Sequence, residues 1–175
     1  SVVVPAYNEA ETLPELHRRL TSVLDTVGAI CEVIYINDGS RDKTIAVMHA
    51  LRTQDPRVTV IDLSRNFGKE IALTAGLDHA RGDAVIVIDA DLQDPPELIP
   101  QLIDEWKNGF DVVYAKRIAR DGETALKKFT AAAFYRVIRA ISRTRIPADT
   151  GDFRLLSRRA VDALRQIRER HRFMK

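Results

Sequence analysis

The chain has 175 residues, 45% of them hydrophobic and 30% charged, with a formal net charge of +2. That suits one soluble globular domain with a substantial core, and the lone Cys31, read as a small buried hydrophobe, excludes an internal disulfide. No run approaches the roughly 18 apolar residues of a membrane span, no secretory signal precedes the first strand, and the small net charge hides a split between an acidic stretch 1–115 and a basic stretch 116–175.

In chain order, short apolar runs alternate with helix-period segments. Strands are expected at Val2 to Val4, Glu32 to Ile36, Val58 to Leu63, Ala84 to Ile88 and Asp111 to Ala115, nearly continuous in apolar character, as strands buried on both faces are. Helices are expected between them, at Glu11 to Val27, Asp42 to Thr53, Lys69 to Ala80 and Pro96 to Asn108. Right-handed crossovers then give an α/β fold, a mostly parallel sheet flanked by helices, in which ligands sit beyond the carboxyl ends of the strands. Five loops fall there, and they hold most of the chain's distinctive chemistry.

From Thr124 to Arg145 the pattern becomes one long helix, following a charged loop at Ile118 to Glu123 that contains Gly122. Leu126, Phe129, Ala133, Phe134, Val137, Ile138 and Ile141 share one face, with Lys127, Lys128, Arg136, Arg139 and Arg143 largely opposite. Such a helix packs on the sheet or lies at a membrane interface with its cations toward anionic headgroups. The basic half fits anionic lipid or a phosphate-bearing substrate; nucleic acid fits least, because the aromatics belong to the apolar stripe rather than to a stacking platform. The chain opens inside a strand without Met and stops at His171 to Lys175 without a capping signal, the pattern of a piece of a longer protein.

The acidic loop after the fourth strand is the strongest chemical signal. Asp89, Asp91 and Asp94 crowd a strand exit, and such carboxylates repel one another unless a cation or proton intervenes. Oxygen ligands suit Mg²⁺ or Mn²⁺, which in turn suit phosphates, with Gln93 adding a neutral carbonyl. Asp94 and Glu97, around Pro95 and Pro96, are read as helix initiation. Asp38 is placed to bond a ribose or base, Gly39 to make a sharp turn, and Ser40 to cap the following helix. Gly68-Lys69 opens a helix, where free N–H groups and an ammonium can hold phosphate, though the spacing is not that of a P-loop. His17, His49, His79 and His171 share no metal-binding spacing and are read as surface residues.

The motifs PAYNE, NDGSRDKT, SRNFGKE, DADLQDPPE and TGDFRLLSR, in this order from Ser1 to Lys175, resemble glycosyltransferase family 2, within it the polyprenyl-phosphate glycosyltransferases. The resemblance extends to dolichol-phosphate mannose synthases and to bacterial enzymes that glucosylate undecaprenyl phosphate. It implies a GT-A fold over residues 1–175, a nucleotide-diphosphate sugar donor with Mg²⁺ or Mn²⁺, and inversion at the anomeric carbon. UDP-glucose is the first expected donor and GDP-mannose the second. By position, Pro5, Ala6, Tyr7, Glu9, Asp38, Gly39, Lys69, Asp89 and Ala90 are implied in the nucleotide-sugar pocket, Asp91, Gln93 and Asp89 in metal binding, and Asp152, Arg117 and Arg154 in catalysis. The resemblance also implies a polyprenyl phosphate acceptor and action at the cytoplasmic membrane surface, with membrane helices of relatives beyond His171 missing from this chain. Self-association is compatible with all of this.

Three competing readings remain at this stage: a transferase of the same fold acting on a sugar hydroxyl, with Asp152 as base; a phosphoacceptor signalling domain; and a catalytically silent membrane-binding module. The signalling domain fits poorly, because its acidic pair should follow the first strand, where Pro5-Ala6-Tyr7 stands. A phosphate acceptor is already anionic and can attack without losing a proton, so Asp152 is then free to position Arg154 or the acceptor.

Overall fold

A computed structural model describes residues 1–116 and 150–166. Its strands are β1 (Val2–Ala6), β2 (Val33–Asn37), β3 (Val58–Asp62), β4 (Ala84–Val87), β5 (Val112–Lys116) and β6 (Thr150–Ser157). Its helices are α1 (Leu13–Val27), α2 (Thr44–Gln54), α3 (Lys69–His79), α4 (Ile99–Lys107), preceded by a 3₁₀ turn at Pro96–Leu98, and α5 (Arg158–Gln166). One sheet collects all six strands in the order β3-β2-β1-β4-β6-β5. β1, β2, β3 and β4 are parallel neighbours, whereas β6 runs antiparallel to both β4 and β5.

The period-2 alternation of buried strands assigns side chains to two cores. Val2, Val4, Tyr35 and Ile86 face α1 and α4, where Leu13, Leu16, Leu20, Leu24 and Ile99 are buried with them. Val3, Ile34, Ile36, Val85 and Val87 face the other way, against Ala72, Leu73 and Leu77 of α3 and Val161 of α5. The leucines of α1 recur at three- and four-residue steps, so one stripe reaches the sheet; full burial of each stabilises the fold by about 1.5–3 kcal/mol. Gly28, at φ +67°, ends α1 in the left-handed conformation that glycine tolerates best. α3 lies so close to the sheet that a Cβ on Gly76 would stand 2.4 Å from Val3 Cγ1.

β6 is a strand that the sequence reading leaves out. Phe153 and Leu155 point into the core while Asp152 and Arg154 alternate with them, and this charged half of the pattern masks the strand. Two single-residue expectations are also corrected. His17 is buried rather than superficial, with Nδ1 3.0 Å from the Tyr35 hydroxyl and Nε2 3.6 Å from Asp55. Cys31 is only partly buried, because β2 begins two residues later. The Thr124 to Arg145 helix lies outside the described residues. Among the described residues no helix is long and apolar enough to cross a membrane.

Candidate active site

The chain proceeds from β1 outward to β2 and β3, then crosses back to place β4 on the other side of β1. The carboxyl ends of β1 and β4 therefore flank a topological switch point, the place where α/β sheets open a crevice. The register shows the opening: β1 pairs with β2 through Ala6 and Asn37, but with β4 only through Val2–Ile86 and Val3–Val87. Pro5, which lacks an N–H, helps end the ladder on that side. A cavity of about 330 Å³ fills the gap, lined by Pro5, Ala6, Tyr7, Glu9, Asp38, Asn66, Gly68, Lys69, Ala72, Asp89, Ala90 and Asp91.

Side-chain-to-backbone bonds fix the loops around it. The Asn8 N–H donates to Ser40 Oγ at 3.0 Å, the Arg41 N–H returns to Asn8 Oδ1 at 2.8 Å, and the Glu9 N–H donates to Thr44 Oγ1 at 2.8 Å. Asp42 accepts from the N–H of Ala10 at 3.2 Å and of Thr44 at 2.9 Å. Ser40 thus ties two loops together instead of capping α2, which starts four residues later. Asn8 and Leu92, at φ +58° and +63°, are the non-glycine residues with positive φ among those described, and each sits in a loop at the cavity rim.

Asp38 is almost wholly buried, and its two oxygens accept the backbone N–H groups of Phe67 at 2.8 Å and Gly68 at 2.9 Å. It therefore anchors the entry to α3, a role that does not consume the second lone pair of either oxygen. Gly39, expected in the nucleotide-sugar pocket, is not among the residues lining this cavity. A Cβ there would fall 2.2 Å from the Arg65 carbonyl carbon, so the residue must be glycine for the 65–66 backbone to cross it.

The charged end of the site draws on three elements. Lys69, the first residue of α3, places Nζ 2.6 Å from both oxygens of Asp89 at the β4 exit and 2.5 Å from Asp152 Oδ2 on β6. Burial pushes the Asp89 carboxyl above its ordinary value, with Asp152 and Asp91 adding to the rise and Lys69 opposing it. Burial also works against the charge on Lys69, but the two carboxylates outweigh it and its pKa stands above normal. Arg154, two residues along β6, has its pKa lowered by burial, against the pull of Asp152, Glu70 and Asp89.

Asp91 is exposed and accepts the Gln93 N–H on Oδ1 at 3.0 Å, a turn made by the left-handed Leu92 between them. Gln93 is exposed and does not line the cavity. Among the described residues no cluster of three or more His, Cys, Asp or Glu side chains forms a metal cage. Mg²⁺ and Mn²⁺ need no such cage beside a diphosphate, since Mg²⁺ keeps several waters and takes one or two carboxylates plus phosphate oxygens. Asp91, which lines the cavity with Asp89, fits that chemistry.

The structure thus brings together Pro5, Ala6, Tyr7, Glu9, Asp38, Lys69, Asp89, Ala90 and Asp91 around one cavity and connects Asp152 to it through Lys69. Arg117 lies outside the described residues. Asn66, overlooked as a site residue although it lies in the SRNFGKE motif, lines the cavity. Asp94 is buried, and Glu97 makes a two-pronged ion pair to Arg19 of α1 at 2.9 and 2.7 Å, so its role extends past helix initiation.

A mostly parallel sheet with one antiparallel insertion and an acidic crevice at its switch point is the GT-A type of α/β fold. The sequence profile of Glycosyl transferase family 2 matches residues 1–165, and the chain belongs to that family. It is 52% identical over all 175 residues to an uncharacterized glycosyltransferase of Synechocystis and 49% to one of Bacillus subtilis, covering 55% and 54% of their lengths. It is 47% identical over the same span to the bactoprenol glucosyl transferase of Shigella phage SfV, of which it covers 57%. The chain spans about half the length of these curated relatives. Glucosyl-3-phosphoglycerate synthase from Mycobacterium tuberculosis, crystallised with Mn²⁺, UDP and phosphoglyceric acid, shares the fold with a TM-score of 0.64 at 23% identity, over 90% of this chain and 55% of that one.

Proposed function

We propose that these residues form the catalytic GT-A domain of an inverting, metal-dependent transferase that moves glucose from UDP-glucose to a polyprenyl phosphate at the cytoplasmic face of the membrane. The observation that carries this reading is the similarity, over all of this chain and 57% of theirs, to a bactoprenol glucosyl transferase and a prophage homolog of one, at 46–47% identity over 175 residues. The cavity supports it chemically: an aromatic, a buried carboxylate and an amide (Tyr7, Asp38 and Asn66) line it together with the charged Lys69, Asp89 and Asp91. GDP-mannose is the second donor by the same reasoning.

A bound Mg²⁺ or Mn²⁺, held by Asp91 with Asp89 or Gln93 beside it, would supply charge neutralisation for the leaving diphosphate. The chain's own residues do the rest. Pro5, Ala6, Tyr7 and Asn66 wall the nucleotide subsite, and Asp38 keeps the 67–68 backbone in place beneath it. Arg154, with Arg117 and the basic residues that follow it, holds the lipid phosphate in line behind the anomeric carbon. Asp152 is ion-paired to Lys69, which suits a positioning role better than proton abstraction, and a phosphate nucleophile has no proton that must be removed. The basic 116–175 stretch supports contact with anionic lipid.

The test is transfer of label from UDP-[¹⁴C]glucose to undecaprenyl phosphate in detergent, with product extracted into organic solvent. Metal-dependent, mild-acid-labile radioactivity in the lipid phase is expected. Transfer only to a soluble glycan would replace this reading with that of a hydroxyl-directed transferase.

A further inference from the structure

A second cavity of about 330 Å³ lies between α3 and α5. Leu73 and Leu77 of α3 form one wall, Ala160 and Ala163 of α5 the other, and Val87 and Leu156 of the sheet the floor. Hydrogen bonds from α5 fix its width. The Arg158 guanidinium donates to the Gly82 carbonyl oxygen at 3.0 Å, and that of Arg165 to the carbonyl oxygens of Asp78 and Ala80 at 3.0 and 3.1 Å. These bonds hold α5 against the carboxyl end of α3, and the two alanines leave open the space that longer side chains would fill. Val112 of the edge strand β5 continues the apolar lining and is 47% exposed, so the groove reaches the surface.

The groove adjoins the proposed donor site. On α3, Leu73 lines the groove and its neighbour Ala72 the donor cavity; on β4, Val87 lines the groove and Asp89, two residues on, the donor cavity. Arg154 stands at this junction, on the same face of β6 as Leu156. It is the one charged residue lining the groove among those described, and it senses Asp152, Glu70 and Asp89 as charges without a hydrogen bond to them. An apolar trough that ends in a single cation complements an amphiphile whose anionic head is joined directly to a hydrocarbon chain.

We infer that this groove holds the isoprenoid units next to the phosphate of the acceptor lipid, with Arg154 binding the phosphate at its head and the chain leaving past Val112. The inference rests on the transferase reading for the identity of the lipid, but not for the geometry of the groove. A polyprenyl phosphate drawn from a bilayer brings its first units along with the reacting oxygen, and an apolar path spares them contact with water. The donor cavity, with Lys69, Asp89 and Asp91 in its lining, meets such a chain with charge instead.

The test is calorimetric titration of geranyl phosphate and of inorganic phosphate into the wild-type chain and into variants. Geranyl phosphate is expected to bind about tenfold or more tightly than inorganic phosphate, because its chain is buried in the groove. Ala163→Trp, which fills the groove, is expected to remove that advantage while UDP-glucose affinity stays within about twofold of wild type. Val112→Glu gives the same readout if the tryptophan variant does not fold, and Arg154→Gln should weaken both phosphates together. Equal affinity for the two phosphates in wild type, or geranyl phosphate binding that neither groove variant moves, overturns the inference. So does a groove variant that alters only stability or self-association, the mark of a surface covered by this chain or by a second copy. Geranyl phosphate binding that responds to the groove variants, in a chain that transfers no glucose to lipid, would instead remove the transferase reading and leave the groove standing.

Discussion

Arg57 and Lys69 each bridge a pair of carboxylates, at opposite ends of the sheet. At the amino end of the strands, Arg57 reaches Asp55 through Nε and Nη2, at 3.0 and 2.9 Å, and Asp25 through Nη1 at 2.6 Å. At the carboxyl end, Lys69 reaches Asp89 and Asp152. The guanidinium is a planar fork that engages both oxygens of Asp55, and it joins the end of α1 to the approach to β3. An ammonium imposes no such plane and leaves its carboxylates able to take further partners. One end of the sheet is stapled, and at the other the same pairing of charges stands at the cavity proposed here as the donor site.

The contrast can be broken variant by variant. Asp91→Ala should reduce glucosyl transfer by about 10³-fold or more while leaving thermal stability near wild type, since it removes an exposed carboxylate assigned to the metal; steady-state kinetics and a melting curve check both halves. Arg57→Met should do the reverse. It leaves the buried Asp55 carboxylate without its fork and should cost about 1–3 kcal/mol in urea unfolding, between the values for exposed and buried ion pairs, with donor affinity unchanged. Asp152→Asn sharpens the acceptor question: turnover should fall by less than about tenfold if the nucleophile is a phosphate, whereas loss of a general base costs roughly 10²–10⁴-fold.

The smallest effect concerns pH. Burial lowers the His17 pKa below its ordinary value, against the pull of Asp55. A histidine depressed in the folded state binds its proton more readily when unfolded, so stability should fall as pH drops through the unfolded value of about 6.5. The slope contributed by one site is at most about 1.4 kcal/mol per pH unit. Replacing His17 by Gln should flatten the dependence of the urea midpoint between pH 7 and pH 5; an unchanged slope would show that other groups carry it.

Most of the parallel part of the sheet was legible because β1, β2 and β4 are buried on both faces and read as continuous apolar runs, Val2 to Val4 and Val85 to Val87 among them. The ends of α1 to α4 fall within about three residues of those read from periodicity, whereas α5, a short helix directly after β6, was not anticipated. β6 was not legible, because Asp152 and Arg154 interrupt the apolar run on one face and nothing local announces an antiparallel partner. The cavity residues were legible by motif, since strand-end loops of one sheet must converge. What spacing could not supply is which side chains meet: Lys69 and Asp152 are 83 residues apart, and Asn8 and Ser40 are 32 apart. His17 was misread for a related reason, since one histidine on an apolar helix stripe carries no mark of the tyrosine it will meet.

The most direct test of the central claim is calorimetric titration of UDP-glucose and GDP-mannose into the chain, each with Mg²⁺ and with chelator. The account predicts binding of UDP-glucose that requires Mg²⁺ and disappears in Asp91→Ala. Binding that is indifferent to metal and to Asp91, or preference for neither nucleotide sugar, would contradict it.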